Sequence, residues 1–291
     1  MSDPYFENVA ILLPMNGTDG EKTFTDYSPS PMTITAYGDA HTEADQYKYY
    51  DSSGAFDGNG DYLTGTQLRF GTGDFTIEAW VRLTSTTGCV IFSSSLDYQS
   101  TTGYTLQVDS GKLQMFRIGV AITGTTTLST NTWYHVVGQR RSGNLELYVN
   151  GVSDATPVGD ALYNENSSTG VLVGRRVYGG SPSYYLNGYL QDLRVTKGVA
   201  RYTSSFTPPA QLTTAYTIFG TVTDADGNPA ARTVVMFKRS APASTIKTTT
   251  SASGDGSYSF TIYNDNAERS VIVLADEATL YNDIINRVIP G

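Results

Sequence analysis

A period of two constrains this chain more than any other feature. Between residues 75 and 83, Phe75, Ile77, Ala79, Val81 and Leu83 fall on one side, and Thr76, Glu78, Trp80 and Arg82 on the other. Successive side chains point to opposite faces of a strand, so one clean apolar side describes a half-buried antiparallel strand. The alternation returns in Tyr104, Leu106 and Val108, in Leu113, Met115 and Arg117, and in Leu145, Leu147 and Val149. Residues 170–173 and 189–195 read as two more strands. Helical periodicity is almost absent. Short alternating runs, broken by Gly, Asp, Asn and Ser roughly every ten positions, predict an all-β antiparallel sandwich. Asn150-Gly151 and Asp109-Ser110-Gly111 mark hairpins, and Asn-Gly supplies the positive φ angles of a type I′ turn.

Alternation lapses over residues 203–217, which hold Pro208-Pro209, and resumes at Ile218. Paired prolines cannot join a central ladder, so this region reads as the exit from one domain and a short linker. Residues 1–213 then form a large sandwich and residues 214–291 a second, small one. The second series runs through IFGTVT (218–223), the turn Asp224-Ala225-Asp226-Gly227, residues 233–237 and 246–250, the turn Gly254-Asp255-Gly256, then Tyr258, Phe260 and Ile262, and a last strand over 271–274. This strand count fits a small immunoglobulin-like sandwich. A length of 291 residues accommodates both.

Several function classes are excluded early. The lone cysteine, Cys89, rules out an intramolecular disulfide and a thiolate zinc cluster, and reads as a small buried apolar residue. A formal charge of −9 leaves no basic face for nucleic acid. The pairs Arg140-Arg141 and Arg175-Arg176 read as solvated strand ends. The opening MSDPYFENVAILLPM has no early Lys or Arg and only a short apolar run, so no export signal is expected. No stretch is apolar for long enough to span a bilayer, and no membrane insertion is expected.

Candidate chemistry is sparse. Glycoside hydrolysis needs two carboxylates flanking the scissile bond, but Glu78 and Glu146 each stand alone in their strands, so no catalytic residue is assigned. Of the two histidines, His135 shares a strand face with Trp133 and Val137 and reads as packed, and His41 in GDAHTEADQ reads as solvated. Asp57, Asn59 and Asp61 begin like a calcium loop, but the position for its bidentate Glu is Leu68, so FDGNGD reads as a turn. Tyrosine is abundant, 21 in all. Tyr98, Tyr178, Tyr184 and Tyr185 lie in expected loops, the last three in RVYGGSPSYY (176–185). Aromatic platforms suit sugar faces, and tyrosine equally suits protein interfaces; both readings stay open.

Four segments, in order, resemble the laminin G-like, concanavalin A-like lectin/glucanase superfamily over residues 9–209. They are FDGNGDYL (56–63), DFTIEAWVR (74–82), TWYHVVGQRRSGNLELYVNG (132–151) and LNGYLQDLRVTKGVARYTSSFTPP (186–209). The resemblance implies a jelly roll. Glucanases of this fold carry Glu-x-Asp-x-Glu or a one-residue variant on their active strand, and that run is absent here. It also implies a structural calcium ion between the first and last strands. Asp192 resembles the ligand in the closing strand, with Asn16, Asp19 and Asp26 as the N-terminal candidates. The closing piece is similar to laminin G-like domains of tailed-bacteriophage virion proteins. GTVTDADGNPAARTV (220–234) and DGSYSFTI (255–262) resemble the carboxypeptidase regulatory-like family, and TLYNDIINRVIPG (279–291) is similar to the termini of phage structural proteins with such modules. Together these imply a non-catalytic virion decoration protein on a capsid or tail, assembled in the host cytoplasm without a signal peptide or disulfides. Its expected partners are other virion proteins, further copies of itself and host-surface glycans. A tail-associated carbohydrate-binding adhesin and a lectin module accessory to a glycoside hydrolase are the alternatives.

Overall fold

The computed structural model describes residues 3–95, 103–160, 163–165, 169–178, 181–209, 215–224, 226–238, 245–263, 269–274 and 284–288. The chain divides into two compact units, Tyr5–Leu212 and Met1–Pro4 with Thr213–Gly291. Apart from one 3-10 turn at Phe6–Asn8, the described regular structure is all strand.

The larger unit is a jelly-roll sandwich of two antiparallel sheets. Along the first lie Val152–Ser153, Asn144–Val149, Trp133–Arg141, Phe75–Leu83, Asn187–Lys197, Ser53–Asp57 and His41–Glu43. Val9–Leu13 also pairs with Asn187–Lys197, and Val158–Gly159 with Asn144–Val149. Along the second lie Val120–Thr123, Lys112–Arg117, Thr105–Asp109, Cys89–Ser93, Gly170–Val173, Tyr62–Gln67 and Thr35–Tyr37. The core fills the space between them, with Ile77, Val81 and Leu83 from one sheet in the same cluster as Leu63, Leu106, Met115 and Val173 from the other. Gly138 lets the sheets close, because a Cβ there would run into Leu106 and Met115. Cys89 is fully buried in this core. Both expected hairpins form, with φ of 49° and 78° at Asn150 and Gly151 and 50° and 74° at Ser110 and Gly111.

Two expectations change. The strand Phe75–Leu83 is not half-buried: Thr76 and Glu78, on its polar side, are fully enclosed. The reason is that the segment read as a linker begins as a strap. After Lys197 the chain turns back across the outer face of the first sheet. The Arg201 N–H donates to Thr76 Oγ1 at 3.0 Å and the Phe206 N–H to the Gly151 carbonyl at 2.8 Å. The rings of Tyr202 and Phe206 stack 3.6 Å apart over this face. Arg140 is likewise not a solvated strand end. It is 1% exposed and donates to the carbonyls of Tyr163 (3.0 Å) and Asp160 (2.9 Å). Its long stem carries the guanidinium to these loop carbonyls and brings Nε within 3.6 Å of Asp160 Oδ2.

In the smaller unit, Ala215–Thr221 pairs with Ser257–Tyr263, and a second antiparallel sheet runs Thr245–Thr250, Thr233–Lys238, Arg269–Leu274, Ile284–Val288. Asp224 Oδ1 closes the turn before Asn228 by accepting the N–H groups of Asp226 (3.0 Å) and Asn228 (2.9 Å). Val222, Ala230, Val234 and Tyr258 are buried.

Candidate functional site

Cross-strand register builds one open depression on the larger unit. His41 pairs with Ala55, Ala55 with Tyr189 and Tyr189 with Arg82, a row across four strands of the first sheet. Period-two alternation puts Glu43 and Asp57 on the same side as their neighbours His41 and Ala55. Asp39, His41, Glu43, Asp57, Asn187 and Tyr189 line a depression of ≈ 310 Å³.

Asp61 fixes the rim. Its Oδ1 accepts the Asp39 N–H at 2.5 Å and its Oδ2 the Asp57 N–H at 2.9 Å, which ties two loops together. Burial pushes its carboxyl above the usual range, helped by the neighbouring Asp57 charge. The run FDGNGD is the turn expected: the Asn59 N–H donates to Asp57 Oδ1 at 2.6 Å, and Gly58 and Gly60 take φ of 83° and 88°. Lys22 Nζ sits 2.8 Å from Asp39 and holds its carboxyl below the usual range. His41 is half-buried rather than solvated, because Nδ1 lies 2.5 Å from the Asp39 carbonyl and Nε2 lies 3.9 Å from Glu43 Oε2. Glu43 Oε1 accepts the Asp45 N–H at 3.0 Å. The guanidinium of Arg82 lies 5.6 Å from the Tyr189 ring centre. An aromatic ring, an amide, an imidazole and carboxylates thus converge on one concave surface, with faces for C–H groups and partners for hydroxyls. Sequence reasoning placed Tyr189 in a strand but did not single it or Asn187 out. The legible signal was their outward position, two residues apart, at the start of that strand.

The tyrosines of the RVYGGSPSYY run are near two arginines. Tyr184 is 39% exposed, and the Arg176 guanidinium lies 3.9 Å from its ring centre. The Tyr185 hydroxyl accepts from Arg175 Nη1 at 3.3 Å. Arg175 also lies 3.4 Å over the ring of Tyr62, which stacks on Tyr37 at 4.6 Å. The pair Arg175-Arg176 is therefore engaged with aromatic rings rather than being a solvated strand end. Tyr178 pairs through its backbone with Ser181; its side chain, and the whole of Tyr98, lie outside the described residues.

The residues expected around calcium go to separate tasks. Asp192 is fully buried at φ 54°, at the register shift of the closing strand. Its Oδ2 accepts the Tyr50 hydroxyl at 3.3 Å. Asp26 accepts the N–H groups of Leu12, Ser28 and Met32, each at 2.9 Å, and the Ser28 hydroxyl at 3.0 Å. Its burial raises the carboxyl pKa against those bonds. Asp19 accepts the Ala44 N–H at 3.0 Å, and Asn16 is half-buried beyond the end of the first strand. Among the described residues no three His, Cys, Asp or Glu side chains are grouped to hold a metal. Asp26 and Asp19 both accept loop N–H groups.

A second charged group lies under the strap. Glu78 Oε1 is 2.8 Å from both Nε and Nη2 of Arg194 and 3.7 Å from Arg201 Nε. Glu78 Oε2 accepts the Tyr202 hydroxyl at 2.6 Å and lies 3.3 Å from His135 Nε2. Burial alone would raise the Glu78 pKa, but Arg194, His135 and Arg201 outweigh it and hold the carboxyl well below the usual range. Glu78 and His135 are both fully buried, and this cluster joins strap to sheet.

Three distant solved structures resemble the chain. Domain 4 of AbnA, a GH43 extracellular arabinanase from Geobacillus stearothermophilus, in complex with arabinotriose, is 16% identical over 66% of this chain and 93% of that one, with a TM-score of 0.49. A heptameric SAP-like pentraxin from Limulus polyphemus is 17% identical over 50% and 76%, with a TM-score of 0.40. The CBM40 of Ruminococcus gnavus IT-sialidase, bound to α2,3-sialyllactose, is 14% identical over 44% and 78%, with a TM-score of 0.38. No curated protein matches the chain. Residues 57–201 match a laminin G model described as the concanavalin A-like lectin/glucanases superfamily, and this stretch is a jelly-roll domain of that superfamily.

Proposed function

We propose that this protein is a non-catalytic glycan-binding module. The observation that carries the reading is the depression in which Tyr189, Asn187, Asp57, Glu43 and His41 converge. Its hydrogen-bonding groups suit sugar hydroxyls, and the ring of Tyr189 suits a sugar's C–H face. The superfamily match is consistent with this but does not by itself assign an activity. Non-catalysis is supported by the state of the carboxylates. Asp61 holds two backbone N–H groups, Asp39 pairs with Lys22, and Asp57 and Glu43 each accept a loop N–H. Groups tied into loops this way are poor candidates for the acid and base of glycoside hydrolysis.

The finer reading is a phage virion decoration protein, displayed on capsid or tail. Its support is the sequence likeness of residues 192–209 and 214–291 to virion modules. In this reading residues 214–291 are a carboxypeptidase regulatory-like, immunoglobulin-type domain, and either it or the N-terminal arm docks on other virion proteins. The large sandwich faces outward, where weak glycan contacts gain strength from repetition. A glycan array probed with the purified protein tests the core claim, together with turnover assays on the glycans bound. Binding without hydrolysis is expected; hydrolysis, or an array with no signal, overturns it. Mass spectrometry of purified parent particles tests the virion role, which fails if the protein is absent from them.

A further inference from the structure

We propose that Arg175 forms an anion-recognising subsite beside the depression, taking a carboxylate-bearing sugar of the same glycan; this rests on the glycan-binding reading above. The molecule is acidic, with 28 Asp and Glu against 19 Lys and Arg. Several arginines of the larger unit are matched to carboxylates: Arg117 to Asp160 at 2.7 Å, Arg141 to Glu146 at 2.5 Å and Arg194 to Glu78 at 2.8 Å. Arg175 makes no such ion pair among the described residues; its recorded partners are tyrosines. The guanidinium lies 3.4 Å from the Tyr62 ring centre and 6.0 Å from that of Tyr185, and Nη1 donates to the Tyr185 hydroxyl at 3.3 Å. Its Nε is buried and has no hydrogen-bond partner among the described residues.

This arrangement restricts the side chain before any ligand arrives, so less rotamer entropy is lost on binding. With Nε buried, the two Nη groups are the donors left for a ligand, and a carboxylate can meet them end-on in a two-point geometry. Tyr37, 44% exposed and stacked on Tyr62, adds an aromatic surface at the same place. The backbone ties this group to the depression. Gly174, next to Arg175, accepts the Leu186 N–H at 2.7 Å, and Asn187 of the depression follows Leu186. Tyr62 follows Asp61, which fastens the rim. The carboxylates of the depression disfavour an anionic sugar there, so the polarity is set: a neutral sugar in the depression and an acidic one over Arg175.

The test is a glycan array carrying acidic oligosaccharides beside carboxyl-reduced forms of the same backbones. Wild type should bind the acidic members roughly tenfold more tightly. Arg175→Gln should bring that ratio to about one while leaving binding of neutral members intact, and Arg175→Lys should retain part of it. Melting curves verify that the variants fold. If Arg175→Gln does not fold, Tyr185→Phe removes the hydroxyl that accepts from Nη1 and should lower the ratio. Equal or weaker binding of acidic members by wild type overturns the proposal and leaves the depression as the site. So does a ratio unchanged in Arg175→Gln, or in Tyr185→Phe. No binding to either form overturns the glycan-binding reading itself.

Discussion

The Tyr202 hydroxyl lies 2.6 Å from Oε2 of Glu78, a contact that joins positions 124 residues apart. It fastens a strap from beyond the last strand of the jelly roll onto the central strand of the first sheet. Glu78 is fully buried, and Arg194, Arg201 and His135 surround it.

Removing one partner from a buried ionic cluster leaves the others uncompensated. Glu78→Ala should lower unfolding free energy by about 3–5 kcal/mol. Glu78→Gln should lower it less, because the amide keeps hydrogen bonds while losing the charge. Urea denaturation of the larger unit in the full chain measures both. A loss under about 1 kcal/mol for Glu78→Ala would mean that the cluster contributes little.

The same carboxylate sets a pH dependence. Its pKa in the folded protein lies below its unfolded value, so the folded state binds fewer protons. Its stabilisation is fully present above the unfolded pKa of about 4.3 and is lost progressively as pH falls toward the folded value. Melting temperature should drop between roughly pH 5 and pH 3 in wild type, and by less in Glu78→Gln. Identical acid profiles would contradict the assignment.

Gly151 holds the other end of the strap. It sits at φ 78°, and a Cβ there would run into the Phe206 carbonyl. Gly151→Ala therefore combines left-handed strain of about 1–2 kcal/mol with displacement of Phe206. Limited proteolysis should cut the variant between residues 198 and 209 faster than wild type. Equal cutting rates would show that the strap does not depend on this turn.

Chelation tests whether Asp192, Asp19 and Asp26 hold an ion. A bound ion stabilises the folded state by mass action. With Asp26 and Asp19 committed to backbone N–H groups, EDTA should leave the melting temperature unchanged. A chelator-dependent drop that Asp192→Ala abolishes would show that calcium gathers these residues after all.

The strands were legible because alternation is a local property. Phe75 to Leu83, the Asn150-Gly151 turn and the FDGNGD turn were all read from short windows. What covers a strand's second face is not local. Thr76, Glu78 and Trp80 look solvent-facing by alternation, but the return of residues 198–206 covers Thr76 and Glu78, and Lys48 and Tyr49 lie over Trp80. The depression was hidden for the same reason. His41, Ala55 and Tyr189 come together through register between strands far apart in sequence, and none stands in a motif. Tyr184 and Tyr185 were found by loop composition, but their arginine partners were taken for ordinary surface charges.

The most direct test of the account is isothermal titration calorimetry with the glycan bound most strongly on the array. Wild type should bind it, and Tyr189→Ala should weaken binding at least roughly tenfold. Tyr47→Ala, at an exposed ring outside the depression, should leave the affinity unchanged. Equal affinities for wild type and a folded Tyr189→Ala would contradict the account.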